Sequence, residues 1–214
     1  MAAKQQAMNL VRGKTFQLVI RWEDGNTVVA KPITAISYTS GFPRLTVTSH
    51  GLTSGWQCYV AGVDTPKQIN TENVPPRTSD LREATVIDSG TVELNGVLPV
   101  DESGRVWSAY TSGGFLYYNA VRSLSGAVVR AKVKDKVGGT VLLSTEVEDS
   151  PLDLITATVD DATKTILIEV DEATTEALLW SKGVWEVEVE VGGNVFSLIP
   201  PSPVTVGAEV VTNP

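Results

Sequence analysis

Three carboxylates at alternate positions, Glu186, Glu188 and Glu190, are the grouping in this chain that most resembles a chemical constellation. On one face of a strand they would stand close enough for acid–base work or for a hard cation. The same spacing has a plainer meaning. Trp185, Val187, Val189 and Val191 fill the intervening positions, so the carboxylates are expected on the wet face of a half-buried strand. Arg130, Lys132 and Lys134 repeat the pattern with opposite sign, alternating with Val129, Ala131 and Val133. If the two strands are neighbours, cross-strand ion pairs between these sets would help fix their register.

His50 is the sole histidine, so a Ser/His/Asp arrangement would have to use it and no second imidazole exists to share a metal. It precedes Gly51 in a turn-like phrase, where a turn or surface role is expected. Ser112 and Asp88 have no evident base partner, and Ser112-Gly113-Gly114 lacks the lysine and following helix of a phosphate loop. Cys58 is the only cysteine, which excludes an intrachain disulfide and a multi-cysteine zinc site. It is expected to lie buried on a strand spanning Gln57–Val60. No catalytic residue, cofactor or metal is expected.

Residues suited to binding are easier to name. Trp107, Tyr110, Phe115, Tyr117 and Tyr118 cluster in sequence, and alternation places Phe115 and Tyr117 opposite Leu116 and Tyr118. Part of that cluster must be core. The rest is expected at an interdomain seam or in a partner-binding or sugar-stacking patch. Pro75 and Pro76 sit in a long polar excursion from Asp64 to Arg82, expected as a surface insertion. Pro201 and Pro203 mark a proline-rich end that, with the first dozen residues, is a candidate arm reaching onto neighbours.

The elements that position these residues are nearly all strands. Phe16, Leu18, Ile20 and Trp22 share one face, Glu23–Asn26 reads as a turn, and Thr27–Lys31 returns, predicting a hairpin. Further strands are expected at Ala127–Lys134, Val141–Leu143, Thr165–Val170, Val184–Val191 and Val195–Ile199. Asp171–Trp180 is the one credible helix, with Asp171 as N-cap. Pro200, Pro201 and Pro203 confine the following segment to an edge or an extended path, with Val204, Val206 and Val210 as a last strand.

At 214 residues with 42% hydrophobic and 20% charged residues, the chain can bury one large or two modest β cores. A net charge of −8 argues against nucleic acid and anionic membranes as partners. No apolar run approaches the ~18 residues of a membrane span. Met1–Gln6 lacks the apolar core of a signal peptide, so synthesis in a reducing cytoplasm is expected.

Two resemblances organise these elements. His50-Gly51-Leu52-Thr53-Ser54-Gly55-Trp56, Val60–Val63, Ala84–Asp88, Val92–Val97 and Ala109–Gly114 follow in that order. Together they resemble a small β-barrel module of phage tail and other virion proteins, itself likened in fold to a barrel of ubiquitin-activating enzymes. Flanking it, Arg12–Phe16, Leu124–Ala127, Asp135–Gly139, Ala157–Ala162, Thr175–Gly183 and the closing strands resemble the N-terminal β-sandwich of baseplate upper proteins and related tail-appendage proteins.

The fold expected is therefore all-β: an immunoglobulin-like β-sandwich with one short helix, interrupted by an inserted small β-barrel. The expected division is a flexible tail over 1–8, a discontinuous sandwich over 9–32 and 119–214, and a barrel over 33–118. The resemblances imply a non-enzymatic virion component, a tail or baseplate adaptor docking other virion proteins and repeated as a homo-oligomer in a symmetric assembly. That the chain stops at Pro214, with no fibre or depolymerase domain following, favours an adaptor over direct receptor binding. A head decoration or head-fibre protein shares every feature. A carbohydrate-binding module stacking sugars on Trp56, Trp107 or Tyr110 is the other alternative.

Overall fold

A computed structural model describes residues 5–38, 41–146 and 155–208. Its strands in chain order are β1 (Met8–Val11), β2 (Phe16–Arg21), β3 (Glu23–Pro32), β4 (Ala35–Ser37) and β5 (Arg44–Thr46). There follow β6 (Trp56–Val63), β7 (Arg82–Asp88), β8 (Thr91–Leu94), β9 (Gly113–Val121), β10 (Val128–Lys134) and β11 (Val141–Ser144). Next come β12 (Thr156–Asp160), β13 (Thr165–Val170), the helix α1 (Glu172–Glu176), β14 (Lys182–Val191) and β15 (Asn194–Gly207). The protein is all-β with one short helix.

The chain divides into two compact units, Met1–Trp22 with Ser123–Pro214, and Glu23–Arg122. The first holds a five-stranded sheet ordered β1-β15-β14-β10-β11 and a three-stranded sheet ordered β12-β13-β2. One core joins them. Trp185, Val187, Val133 and Ala131 on the larger sheet share a buried cluster with Ile166, Ile168 and Val170 on the smaller. Phe16 of β2 meets the Trp185 ring edge-on, with centroids 6.4 Å apart. The alternation of β13 and β14 sends every second side chain into this space and the rest to water.

The hairpin expected from residues 16–31 does not form. β2 pairs with β13 and β3 pairs with β9, so the chain passes from one unit to the other between Trp22 and Glu23. A turn-like composition at Glu23–Asn26 says nothing about which strand is the neighbour; here it produces a register shift between Asp24 and Val28 in the β3–β9 ladder. The units accordingly begin and end at 22/23 and 122/123, not at 32/33 and 118/119.

Two further corrections concern the termini of the first unit. Met8 is fully buried in β1, which runs parallel to β15 from Met8↔Val204 to Val11↔Gly207, and the Gln6 carbonyl accepts the Trp185 indole N–H at 2.7 Å. The flexible tail thus does not extend to residue 8; Met1–Lys4, like Val210, lie outside the described residues. The proline segment is part of the long strand β15, between β14 and β1. Proline is tolerated there because β1 begins its pairing at Val204, leaving residues 200–203 with β14 alone, where the ladder is also bulged.

The second unit is a seven-stranded antiparallel sheet ordered β3-β9-β6-β7-β8-β5-β4. β3 and β4 stand at its two margins and are consecutive in the chain. The bend between them joins the margins, with Ile33 N–H donating to Gly114 O at 3.0 Å and Thr34 N–H to Thr46 O at 2.9 Å. The sheet so curves around a core of Leu45, Val47, Trp56, Cys58, Val60, Val92, Leu94 and Leu116.

Candidate functional site

The inward face of the second unit takes several of the aromatic residues that the sequence offered as candidates for a seam, a contact patch or sugar stacking. Trp56 is fully buried and its indole N–H donates to Asn119 O at 3.1 Å. Trp107 is only 9% exposed, meets Tyr38 edge-on at 6.1 Å, and has no partner for its indole N–H among the described residues. The Tyr110 hydroxyl lies 2.9 Å from both Ile33 O and Gly113 O. Tyr118 is 5% exposed and its hydroxyl donates to His50 O. These rings are structural, and they offer little face for stacking a sugar.

His50 is also interior, 2% exposed, which corrects its expected surface role. Its Nε2 lies 2.8 Å from Asp88 O and its Nδ1 accepts the Leu52 N–H at 3.0 Å. One neutral tautomer, with the proton on Nε2, satisfies both contacts. No group of three His, Cys, Asp or Glu side chains among the described residues could hold a metal ion. Cys58 is fully buried, and burial, with a smaller contribution from Glu23, pushes its thiol up to about 12.

The acidic and basic strands are neighbours. β10 and β14 pair antiparallel, with Arg130 opposite Glu188 and Lys132 opposite Glu186. The shortest ion pairs are not these facing ones. Arg130 reaches diagonally to Glu190 at 2.8 Å, and both Arg130 and Lys132 engage Glu146 beyond the end of β11, at 3.0 and 2.6 Å. Glu146 was not among the residues singled out, since nothing in sequence ties the end of one strand to the middle of another. The three carboxylates of β14 therefore belong to a charged outer face.

One outward region of the second unit, on β3, β9 and β6, is apolar. Register brings Val28, Ala30 and Pro32 of β3 beside Asn119, Tyr117 and Phe115 of β9, and Tyr117 and Phe115 beside Tyr59 and Ala61 of β6. Val28 is 56% and Phe115 42% exposed. Tyr59 and Tyr117 stack with centroids 4.9 Å apart and planes 11° from parallel, and Phe115 tilts against Tyr117 at 6.1 Å. Burial and the neighbouring Tyr117 raise the Tyr59 phenol above its ordinary value.

Along one side of this face runs a groove of about 280 Å³, lined by Val28, Gln57, Tyr59, Tyr118 and Asn119 from the sheet. Pro75, Pro76, Thr78 and Leu81 supply the facing wall. That wall belongs to the Asp64–Arg82 excursion, whose first half is fastened down. Ile69 is buried, and the Asn70 amide exchanges two hydrogen bonds of 2.9 Å with the Val63 backbone. Asp80 then holds the proline end by accepting from Arg77 N–H at 2.8 Å and from the Asn73 amide at 2.9 Å, which keeps its carboxyl below the usual range.

Of the residues named from sequence, the structure thus gathers Phe115, Tyr117, Pro75 and Pro76 around one face of the second unit, while the Tyr118 ring turns inward. Trp107 and Tyr110 stand apart from it. Pro201 and Pro203, both exposed, belong to the first unit. Tyr59 completes the face and was missed, because a tyrosine between Cys58 and Val60 reads as ordinary strand filling.

Compared with known protein families and with curated proteins, the chain matches none. No helix among the described residues is long and apolar enough to cross a membrane.

Proposed function

We propose that this chain is a non-enzymatic structural component of a bacteriophage virion, a tail or baseplate adaptor that docks its neighbours through preformed β surfaces. The observation that carries the docking half of this reading is the outward face of Val28, Tyr59, Phe115 and Tyr117. Large apolar side chains aligned on one sheet face and left uncovered are the usual mark of a protein-binding surface. The virion half is supported by the two ordered sequence resemblances, to a virion β-barrel module and to the β-sandwich of baseplate upper proteins. In this reading the first unit is the immunoglobulin-like anchor and the second a spacer or contact module. Repetition around a symmetric particle multiplies each weak contact.

The test is immunogold electron microscopy of purified virions, with antibody raised against the recombinant chain. Label at the tail end is the expected result. Label over the capsid would replace the adaptor with a head decoration protein, and unlabelled particles would remove the virion assignment.

A further inference from the structure

An unpaired strand edge presents a row of backbone N–H and C=O groups that a second strand can complete, and most folds guard such edges. The edges of this chain are mostly guarded. β1, β4 and β11 are at most four residues long, and β3 carries a register shift and ends at Pro32. The part of β15 that β1 leaves unpaired runs into Pro200, Pro201 and Pro203. β12 leaves only Thr156, Thr158 and the carboxylate of Asp160 exposed. β6 pairs with β7 only as far as Cys58, but beyond it Thr71 N–H donates to Val60 O and the Asn70 amide bonds the Val63 backbone. β2 has no such guard. It lies last in its sheet, and its ladder with β13 runs from Phe16 to Arg21 without a bulge. Among the described residues no other strand pairs with it. Phe16, Leu18 and Ile20 on its inner face are only half-buried, and Val19 on its outer face is 48% exposed. Its one charge, Arg21, stands at the end.

We infer that β2 pairs antiparallel with β2 of a second copy of this chain, about a two-fold axis through Val19, so that the three-stranded sheets of the two copies run on as one. The sequence of β2 matches itself in that register. Val19 faces Val19, Leu18 faces Ile20, and Gln17 faces Arg21, so apolar meets apolar and polar meets polar. Centring the pair on Leu18 would set Val19 against Gln17, and centring it on Ile20 would set Val19 against Arg21. No like charges meet. Residues 17, 19 and 21 share the outward face, where the Gln17 amide already donates to Glu169 Oε2. Arg21 of the second copy therefore enters a row that ends in a carboxylate. On the inner face, Leu18 and Ile20 gain cover from Ile20 and Leu18 of the second copy, which carries the core across the axis. A closed two-fold pair also consumes both edges, so it stops at a dimer.

The use of such a dimer rests on the docking reading, but its test needs no virion, so the two fail separately. Sedimentation equilibrium of the full chain should show a monomer–dimer equilibrium with a Kd on the order of 100 μM or tighter. Val19→Lys and Val19→Glu change an exposed side chain and should leave the circular-dichroism spectrum native. Each alone should weaken dimerisation about fivefold or more by setting like charges face to face. Mixed in equal amounts, the two should dimerise again, because position 19 meets only itself. Val19→Cys should form a disulfide-linked dimer under mild oxidation, since facing Cα atoms of an antiparallel pair stand about 4.5–5.5 Å apart. Cys58 is fully buried and does not compete. Leu179→Cys, at a 96% exposed position of the same unit, should cross-link far more slowly. A chain that stays monomeric up to about 1 mM would overturn the inference and leave the edge to a strand of another protein. Dimers that survive both charged variants, no recovery on mixing, or equal cross-linking of the two cysteine variants would overturn it as well.

Discussion

Both ring nitrogens of His50 are committed, one to Asp88 O and one to Leu52 N–H, inside a core that admits almost no water. Removing the ring leaves a donor and an acceptor without partners, so His50→Ala should cost about 1–3 kcal/mol in urea unfolding. His50→Asn keeps an acceptor for the amide two residues on and should cost less. Equal losses for the two variants would contradict this account of the turn. Cys58 is expected to be inert for a related reason. With its thiol raised to about 12 by burial, it should resist a maleimide at pH 8 until the protein is unfolded. Stoichiometric labelling of the folded chain would count against the buried placement. The sequence signalled the burial of Cys58 through its apolar neighbours Trp56 and Val60. It gave no such warning for His50, because a histidine before glycine has the composition of a surface turn whichever way its ring points.

At the level of elements, period-two patterning located β10, β13 and β14 well, since each has one wet and one dry face. It could not say that β2 and β3 part company, nor that Glu146 would join the charged face of β10. The helix is shorter than the periodicity of residues 171–180 suggests. α1 stops at Glu176, and its buried Thr175 hydroxyl lies 2.9 Å from both Lys14 O and Glu172 O, so tertiary contact supports this single turn. Asp171 caps it by accepting from Thr174 N–H at 2.6 Å, and Asp171→Ala should cost about 1 kcal/mol of stability. The turn into β9 is less forgiving. Gly114 has φ +91°, and a Cβ there would overlap Val63 Cγ2 where β9 meets β6. Gly114→Ala should destabilise by more than about 2 kcal/mol, through both strain and crowding. The Glu146 pairs are half-exposed and respond to salt. Glu146→Lys should lower the melting temperature at low ionic strength, with a smaller difference at high salt; a gap independent of salt would mean that the side chain acts by packing.

For the whole molecule, hydrogen-bonded carboxylates contribute to the loss of stability in acid. Asp160, Asp161 and Asp171 are held below the usual range chiefly by Thr163, Lys164 and Thr174 respectively. A carboxyl depressed in the folded state stabilises fully above its unfolded pKa, about 3.9 for aspartate, and loses that contribution as pH falls through the folded value. The melting temperature should therefore fall below about pH 4, and a rise between pH 4 and pH 3 would contradict the assignment. The all-β class was legible because alternation recurs along most of the chain. Division into units was harder, since boundaries lie where strands choose partners distant in sequence. The outward aromatic face was only half legible: alternation separated Phe115 and Tyr117 from Leu116 and Tyr118, but Tyr59 and the proline wall reach them only through the fold. The central claim, that this is a particle protein acting by docking, is tested most directly by quantitative mass spectrometry of purified virions. A fixed, reproducible copy number per particle is the predicted result. Absence of the chain from intact particles, while it accumulates free in infected cells, would contradict it.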